Sequence, residues 1–163
     1  MRSAILSCSN GFLSMDQSST TIKCIDALFI GNITGLELVI SDSLILIGSG
    51  RLNNIVADRL ITISRNAPLF INRVYGRKCY LSGSRFPIIV NEIICSNTYL
   101  YKCLVNILQT NNVVIGENVT VKNISVKQEI VFNDPYVWFE NMNLKPSTRV
   151  VFNYDESIYE DSE

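Results

Sequence analysis

The stretch 68–72 reads PLFIN and the stretch 87–91 reads PIIVN: a proline, three apolar residues and an asparagine, said twice at a short distance. A parallel series accompanies them, in which LVI (38–40), LITI (60–63), CYL (79–81), YLY (99–101) and VTV (119–121) recur at nearly even spacing. ILQTN (107–111) and EIVFN (129–133) extend the first series, so that Asn72, Asn91, Asn111 and Asn133 follow one another at nearly equal intervals. Two series sharing one period constrain the fold strongly. The period, about 20 residues, is that of a unit that holds two or three short strands and cannot bury its own apolar face, so it needs a similar unit stacked on it. The repeat therefore predicts a coil of a parallel β-helix, with PLFIN beside PIIVN at the ordinary interstrand spacing of about 4.8 Å. Asparagine suits the corner because it tolerates the left-handed backbone of a sharp bend and its amide can pair with the Asn of the next coil.

Local patterns agree with an all-β chain. Short β-branched runs (LELVIS, LILIG, LITIS, NVVIG, VTVKNISV, TRVVFN) are bounded by Gly, Asn, Ser, Asp and Pro, and no stretch of helical length keeps the helical apolar period. The expected architecture is a single-domain parallel β-helix, or solenoid, with coils of about 20 residues. The alternative is an antiparallel β-sandwich or jelly roll, which also has short strands at close spacing. Within 21–153 no Asn-Gly or Asp-Gly hairpin turn occurs, which favours the helix. The expected organisation is a cap or flexible segment over 1–20, the β-helix with its terminal strands over 21–153, and an acidic tail over 154–163. Ile61, Ile63, Phe70, Ile89 and Val121 are expected to form one buried column, and VWFENMNL (137–144) with TRVVFNY (148–154) a terminal hairpin.

Composition bounds the function. The 163 residues are 47% hydrophobic and only 18% charged, against a usual charged share of about 25%, so the chain has ample material for a core. A net charge of -1 argues against general nucleic-acid or membrane-surface binding. The longest apolar candidate for a membrane span, 36–48, is interrupted by Ser41, Asp42 and Ser43, and the N-terminus lacks the apolar core of a secretory signal. Five cysteines (Cys8, Cys24, Cys79, Cys95, Cys103) at irregular spacing suggest neither a disulfide framework nor a zinc ribbon, so five free thiols in a reducing compartment are expected. The expected location is cytoplasmic or virion-associated; the excess of Ile and Asn fits an A/T-rich, for example viral, genome. The sequons at Asn32, Asn118 and Asn123 match the roughly three that chance gives at this composition.

A narrow β-helix with such coils resembles in architecture the C-terminal domain of cyclase-associated proteins and the tubulin-cofactor C domain, which act on actin and on tubulin-related GTPases. The short Gln-containing signature that carries the activating arginine of the second group is absent, so the resemblance carries over no residue role.

Chemistry is narrowed by elimination. With no His there is no Ser-His-Asp triad, no Cys-His dyad and no HExxH zinc site. There is no P-loop; IGSGR (47–51) reads as a turn between coils, and no cofactor or metal is expected. Polysaccharide cleavage survives as an alternative, a lyase or glycoside hydrolase using Asp42, Asp58, Arg59 and Lys78 on one face. The preferred expectation is a non-catalytic structural or protein-interaction module, of viral or cytoskeletal-assembly type. Its basis is the charge layout. Arg51, Arg59, Arg65, Arg73, Arg77, Lys78 and Arg85 face a single acid, Asp58, across 51–85. The stretch 154–163 carries Asp155, Glu156, Glu160 and Asp161 interleaved with Tyr154 and Tyr159 and contains no base. In a solenoid, position in sequence is position along the axis, so this layout makes an electrically polar rod suited to a protein partner or to self-association as a homodimer or higher assembly.

Overall fold

The computed structural model describes residues 5–9, 12–15 and 20–154, with side chains described from Thr21 onward. The elements are β1 (Ile5–Ser9), β2 (Phe12–Met15), β3 (Thr20–Asn32), β4 (Leu36–Ser82), β5 (Ile88–Tyr101), β6 (Cys103–Ile115), β7 (Thr120–Phe132), β8 (Trp138–Leu144) and β9 (Arg149–Phe152). From β3 to β8 each pairs in parallel with the next, and β9 also pairs in parallel with β7. The result is a β-solenoid of about eight turns. No helix occurs among the described residues, hence none long and apolar enough to cross a membrane. Parallel pairing throughout the stack decides against the antiparallel sandwich.

Each coil is three-sided, and the pairing shows where it bends. Between β4 and β5 the register runs through Leu69–Ile71, Arg73–Gly76 and Lys78–Ser82, skipping Asn72 and Arg77. The next step skips Asn91 and Ser96, and the one after it Asn106 and Asn111. Coil length varies. Leu69 faces Ile88, whereas Ile88 faces Cys103 and Leu104 faces Thr120, so the later coils are shorter. The third corner accounts for the difference. It carries the left-handed residues Gly35 (φ 97), Gly50 (φ 119), Asn66 (φ 68), Lys102 (φ 50) and Asn118 (φ 52). Where Lys102 alone joins β5 to β6, the coil is at its leanest. Before Leu69 and Ile88 this corner is widened by residues 66–68 and 83–87, each widening ending in the proline of the repeat.

The apolar residues at both ends of each three-residue run point inward. Ile71, Val90, Val105, Val121 and Phe139 stack in register, as do Val74, Ile93, Leu108 and Ile124, and Leu81, Leu100, Ile115 and Phe132. Apart from half-buried Phe139, all are buried in one continuous core. The expected column of Ile61, Ile63, Phe70, Ile89 and Val121 is corrected. Only Val121 belongs to the core, whereas Ile61 and Phe70 are 41% and 37% exposed and Ile63 and Ile89 half-buried. Successive strand residues alternate sides, and in Pro-Φ-Φ-Φ-Asn the middle residue faces out.

The asparagine corner is a ladder, with different members from those the sequence suggests. The Asn72 amide donates to Asn53 (2.7 Å), Asn91 to Asn72 (3.2 Å) and Asn106 to Asn91 (3.0 Å). Asn111 sits at the next corner, in line with Ser96, and Asn133 instead accepts from Asn153 (3.2 Å) in a separate pair. Asn72 and Asn91 do not have left-handed backbone, so the ladder selects them for amide pairing rather than for the bend.

The two ends differ. β1 and β2 pair antiparallel with the outer edge of β3, covering it over Asp26–Ile30 and Thr20–Lys23. Segment 1–20 thus contains strands that its polar composition hides; Asn10-Gly11, a hairpin-type dipeptide, stands between them in the sequence. At the other end the expected hairpin is absent, because β8 and β9 both run parallel to β7 and form two sides of one last coil.

Cys24 is disulfide-bonded, while Cys79, Cys95 and Cys103 are free and buried. This corrects the expectation of five free thiols and removes the cysteine argument for a reducing compartment. Alkylation of the unfolded, unreduced protein should label Cys79, Cys95 and Cys103 and leave Cys24 unlabelled until a reductant is added; labelling of Cys24 before reduction would contradict the bridge. The corrected inward parity is also testable by denaturant unfolding. Leu100→Ala should cost about 2–5 kcal/mol and Phe70→Ala about 1 kcal/mol or less, and equal losses would contradict the alternation.

Candidate functional site

The basic segment forms a belt around the coils rather than one patch. Arg51 lies over the outward ring of Phe70, 5.7 Å from its centroid. Arg73 pairs with Glu92 (3.2 Å) and Arg77 with Asp58 (2.7 Å), both pairs bridging adjacent coils at the surface. Arg59 and Lys78 come together at the rim of a cleft of about 430 Å³, beside Ile61, Tyr80 and Tyr99. Arg65 and Arg85 each follow a serine of the cross-coil pair Ser64–Ser84, in which the Ser84 hydroxyl donates to the Ser64 carbonyl (2.6 Å), and both arginines are exposed or half-exposed at the surface. Of the tail, Tyr154 is described, half-buried and edge-on to Phe152 at 5.8 Å. Asp155, Glu156, Tyr159, Glu160 and Asp161 lie outside the described residues.

Alternation makes the outside of the rod unusually apolar. On one face Phe70, Ile89 and Leu104 are outward neighbours in successive coils, flanked by the asparagine ladder, and together they floor a groove of about 1020 Å³. On another, Tyr80 and Tyr99 stack with centroids 4.5 Å apart and planes within 6°. Partial burial first, and then the neighbouring Tyr80, raises the pKa of the Tyr99 phenol. Of the residues expected to serve polysaccharide cleavage, Arg59 and Lys78 line the smaller cleft together with Glu129, whereas Asp42 and Asp58 line neither of these two clefts. Asp58 is held by Arg77, and the larger groove is lined by one carboxylate, Glu37, which accepts from Asn53. No group of three or more His, Cys, Asp or Glu able to hold a metal occurs among the described residues.

The most distinctive surface is the open end. Met142 stacks on Ile124, Val150 on Ile130 and Phe152 on Phe132, continuing columns of the core. The lower members are 2%, 0% and 8% exposed, whereas Met142, Val150 and Phe152 are 44%, 42% and 63% exposed. Phe152 lies nearly parallel to Phe132 with centroids 5.3 Å apart, so one face is packed on the core, and Tyr154 meets it edge-on at 5.8 Å. Among the described residues β8 and β9 each pair on one side only, with β7, leaving a row of peptide donors and acceptors available along the other edge. Trp138 and Tyr136, 52% and 72% exposed, add aromatic surface to the same coil.

Compared with protein-family models, with curated proteins and with solved structures, the chain matches none.

The strands at 137–154 and the notion of an uncovered end coil are legible in the sequence. Which side chains are stranded there is not, because Met142, Val150 and Phe152 become exposed only through their place at the end of columns that are buried elsewhere.

Proposed function

We propose that the protein is a non-catalytic structural or protein-interaction module that docks through its C-terminal coil, and that the occupant is a second copy of the same chain. The observation that carries this is the exposure of Met142, Val150 and Phe152, side chains of core type at core positions, beside the edges of β8 and β9 that pair with no strand among the described residues. Exposed apolar surface next to an open edge is the combination that β-structure covers by pairing with another strand. A second copy fits because the two ends of the rod are unlike. The N-terminal end finishes in the antiparallel β1 and β2, whereas the C-terminal end finishes in the parallel β8 and β9 with Met142, Val150 and Phe152 exposed, and two such C-terminal ends present like surfaces that meet about a two-fold axis. Such an isologous contact closes at a dimer instead of propagating into a fibre. The exposed basic belt around Arg51–Arg85 and the acidic residues of 154–163 supply opposite charges for steering, an effect that salt weakens.

Sedimentation of the full chain across a concentration range should show a monomer–dimer equilibrium. Phe152→Asp should raise the dimer dissociation constant by at least about tenfold, and Val150→Asp should act in the same direction. Because both side chains are already exposed, circular dichroism should stay unchanged in the variants. A monomer at every concentration and salt would overturn the proposal. So would dimerisation confined to a chain ending at Asn153, since the occupant of the end would then be residues 154–163 of the same molecule.

A further inference from the structure

Three free cysteines are buried, and their neighbourhoods differ. Cys95 stands in register with Gly76 of the preceding coil. A methyl group placed on Gly76 would lie 3.1 Å from the Cys79 sulfur. The same methyl group would collide with the Ala57 carbonyl oxygen, so Gly76 marks a close approach of backbone, and the Cys79 sulfur lies beside it, next to the position that Cys95 takes in the adjacent coil. Cys103 is different: its thiol donates to the carbonyls of Tyr101 (3.2 Å) and Leu81 (3.5 Å).

We infer that Cys79 and Cys95 form an oxidation site, at which a small peroxide converts the two thiols into a disulfide that staples successive coils together beside Gly76. A peroxide is the fitting oxidant because both cysteines are only 3% exposed, and a molecule little larger than water reaches such a site more readily than a bulky disulfide.

The pair is chemically unequal. A hydrogen bond to Cys95, followed by burial, raises the pKa of the Cys79 thiol. The same hydrogen bond lowers that of Cys95 against the opposing effect of burial, helped by the backbone of Asn97, the Thr98 side chain and the backbone of Ser96. Cys95 is therefore the attacking sulfur. Its thiolate takes one peroxide oxygen, the O–O bond breaks and hydroxide leaves, giving a sulfenic acid at Cys95. The Cys79 sulfur then attacks the Cys95 sulfur, the S–O bond breaks, and the departing hydroxide takes up the Cys79 proton as water. Two thiols and one peroxide give one disulfide and two waters.

Cys103 is the internal control. Burial pushes its thiol up to about 12, and its two hydrogen bonds go to carbonyls; the Cys95 thiol likewise donates to the Asn97 carbonyl (3.2 Å) but is hydrogen-bonded to Cys79 as well. The test is to treat the folded full chain with hydrogen peroxide, quench in acid, unfold in the presence of an alkylating agent, and map the peptides by mass spectrometry. The expected result is a Cys79–Cys95 linked peptide pair lacking two hydrogens, with Cys103 alkylated. In Cys79→Ser, dimedone should label Cys95; in Cys95→Ser, it should leave Cys79 unlabelled. Alkylation of Cys79 and Cys95 to the same extent as Cys103 after peroxide, or a linkage through Cys103, would overturn the inference. The unsubstituted chain decides this by itself, so the result does not depend on either variant folding.

Discussion

Everything in this molecule depends on the hydrogen-bonded stacking of one coil on the next in parallel register. A single coil has two apolar positions on each short side and nothing of its own to bury them against, so its stability resides in its neighbours. Register fixes what each residue meets. Val90 lies between Ile71 and Val105, and the Asn91 amide lies between those of Asn72 and Asn106. Stacking of like on like explains why the core can be narrow yet continuous. It also explains why the end of the stack matters, since the last coil inherits core-type residues that no further coil covers among the described residues.

The same geometry accounts for the apolar exterior. Strand alternation sends every second residue outward, and this chain places Phe70, Ile89, Leu104 and Tyr80 at such positions. The surface charges that remain are partly consumed in bridging coils, as Arg77 does with Asp58 and Arg149 with Glu129 at 3.3 Å. A rod that ends in antiparallel strands on one side, ends in parallel strands with exposed core-type side chains on the other and is belted with arginines is an asymmetric object, and the proposed pairing of its C-terminal ends rests on that asymmetry.

The coil repeat is legible because PLFIN and PIIVN take the same side of adjacent coils, each opened by a widened corner that ends in proline. Beyond them the coils shorten, as the partners Ile88–Cys103 and Leu104–Thr120 show, and a constant count then lands on the wrong corner, placing Asn111 in a ladder that belongs to Asn106. Inward parity is not legible in runs apolar at every position. Ile61 and Leu60 are equally hydrophobic, and only the pleat decides that Leu60 is buried and Ile61 exposed. The thiol arrangement is hidden for another reason: Cys95 stands opposite Gly76, with the Cys79 sulfur beside that glycine, a juxtaposition that only the coil register creates. The strands of segment 1–20 are hidden because their antiparallel pairing with β3 breaks the pattern of the repeat that organises the rest.

The central claim is that successive coils stack in parallel at these unequal lengths, and nuclear Overhauser contacts in the folded protein test it most directly. The account predicts that the Val90 methyls contact both Ile71 and Val105, that the Asn91 side-chain amide contacts Asn72 and Asn106, and that β4 through β7 lack the close Hα–Hα pairs of antiparallel strands. Close Hα–Hα pairs between these strands, or an Asn91 amide in contact with Asn111 in place of Asn106, would contradict it.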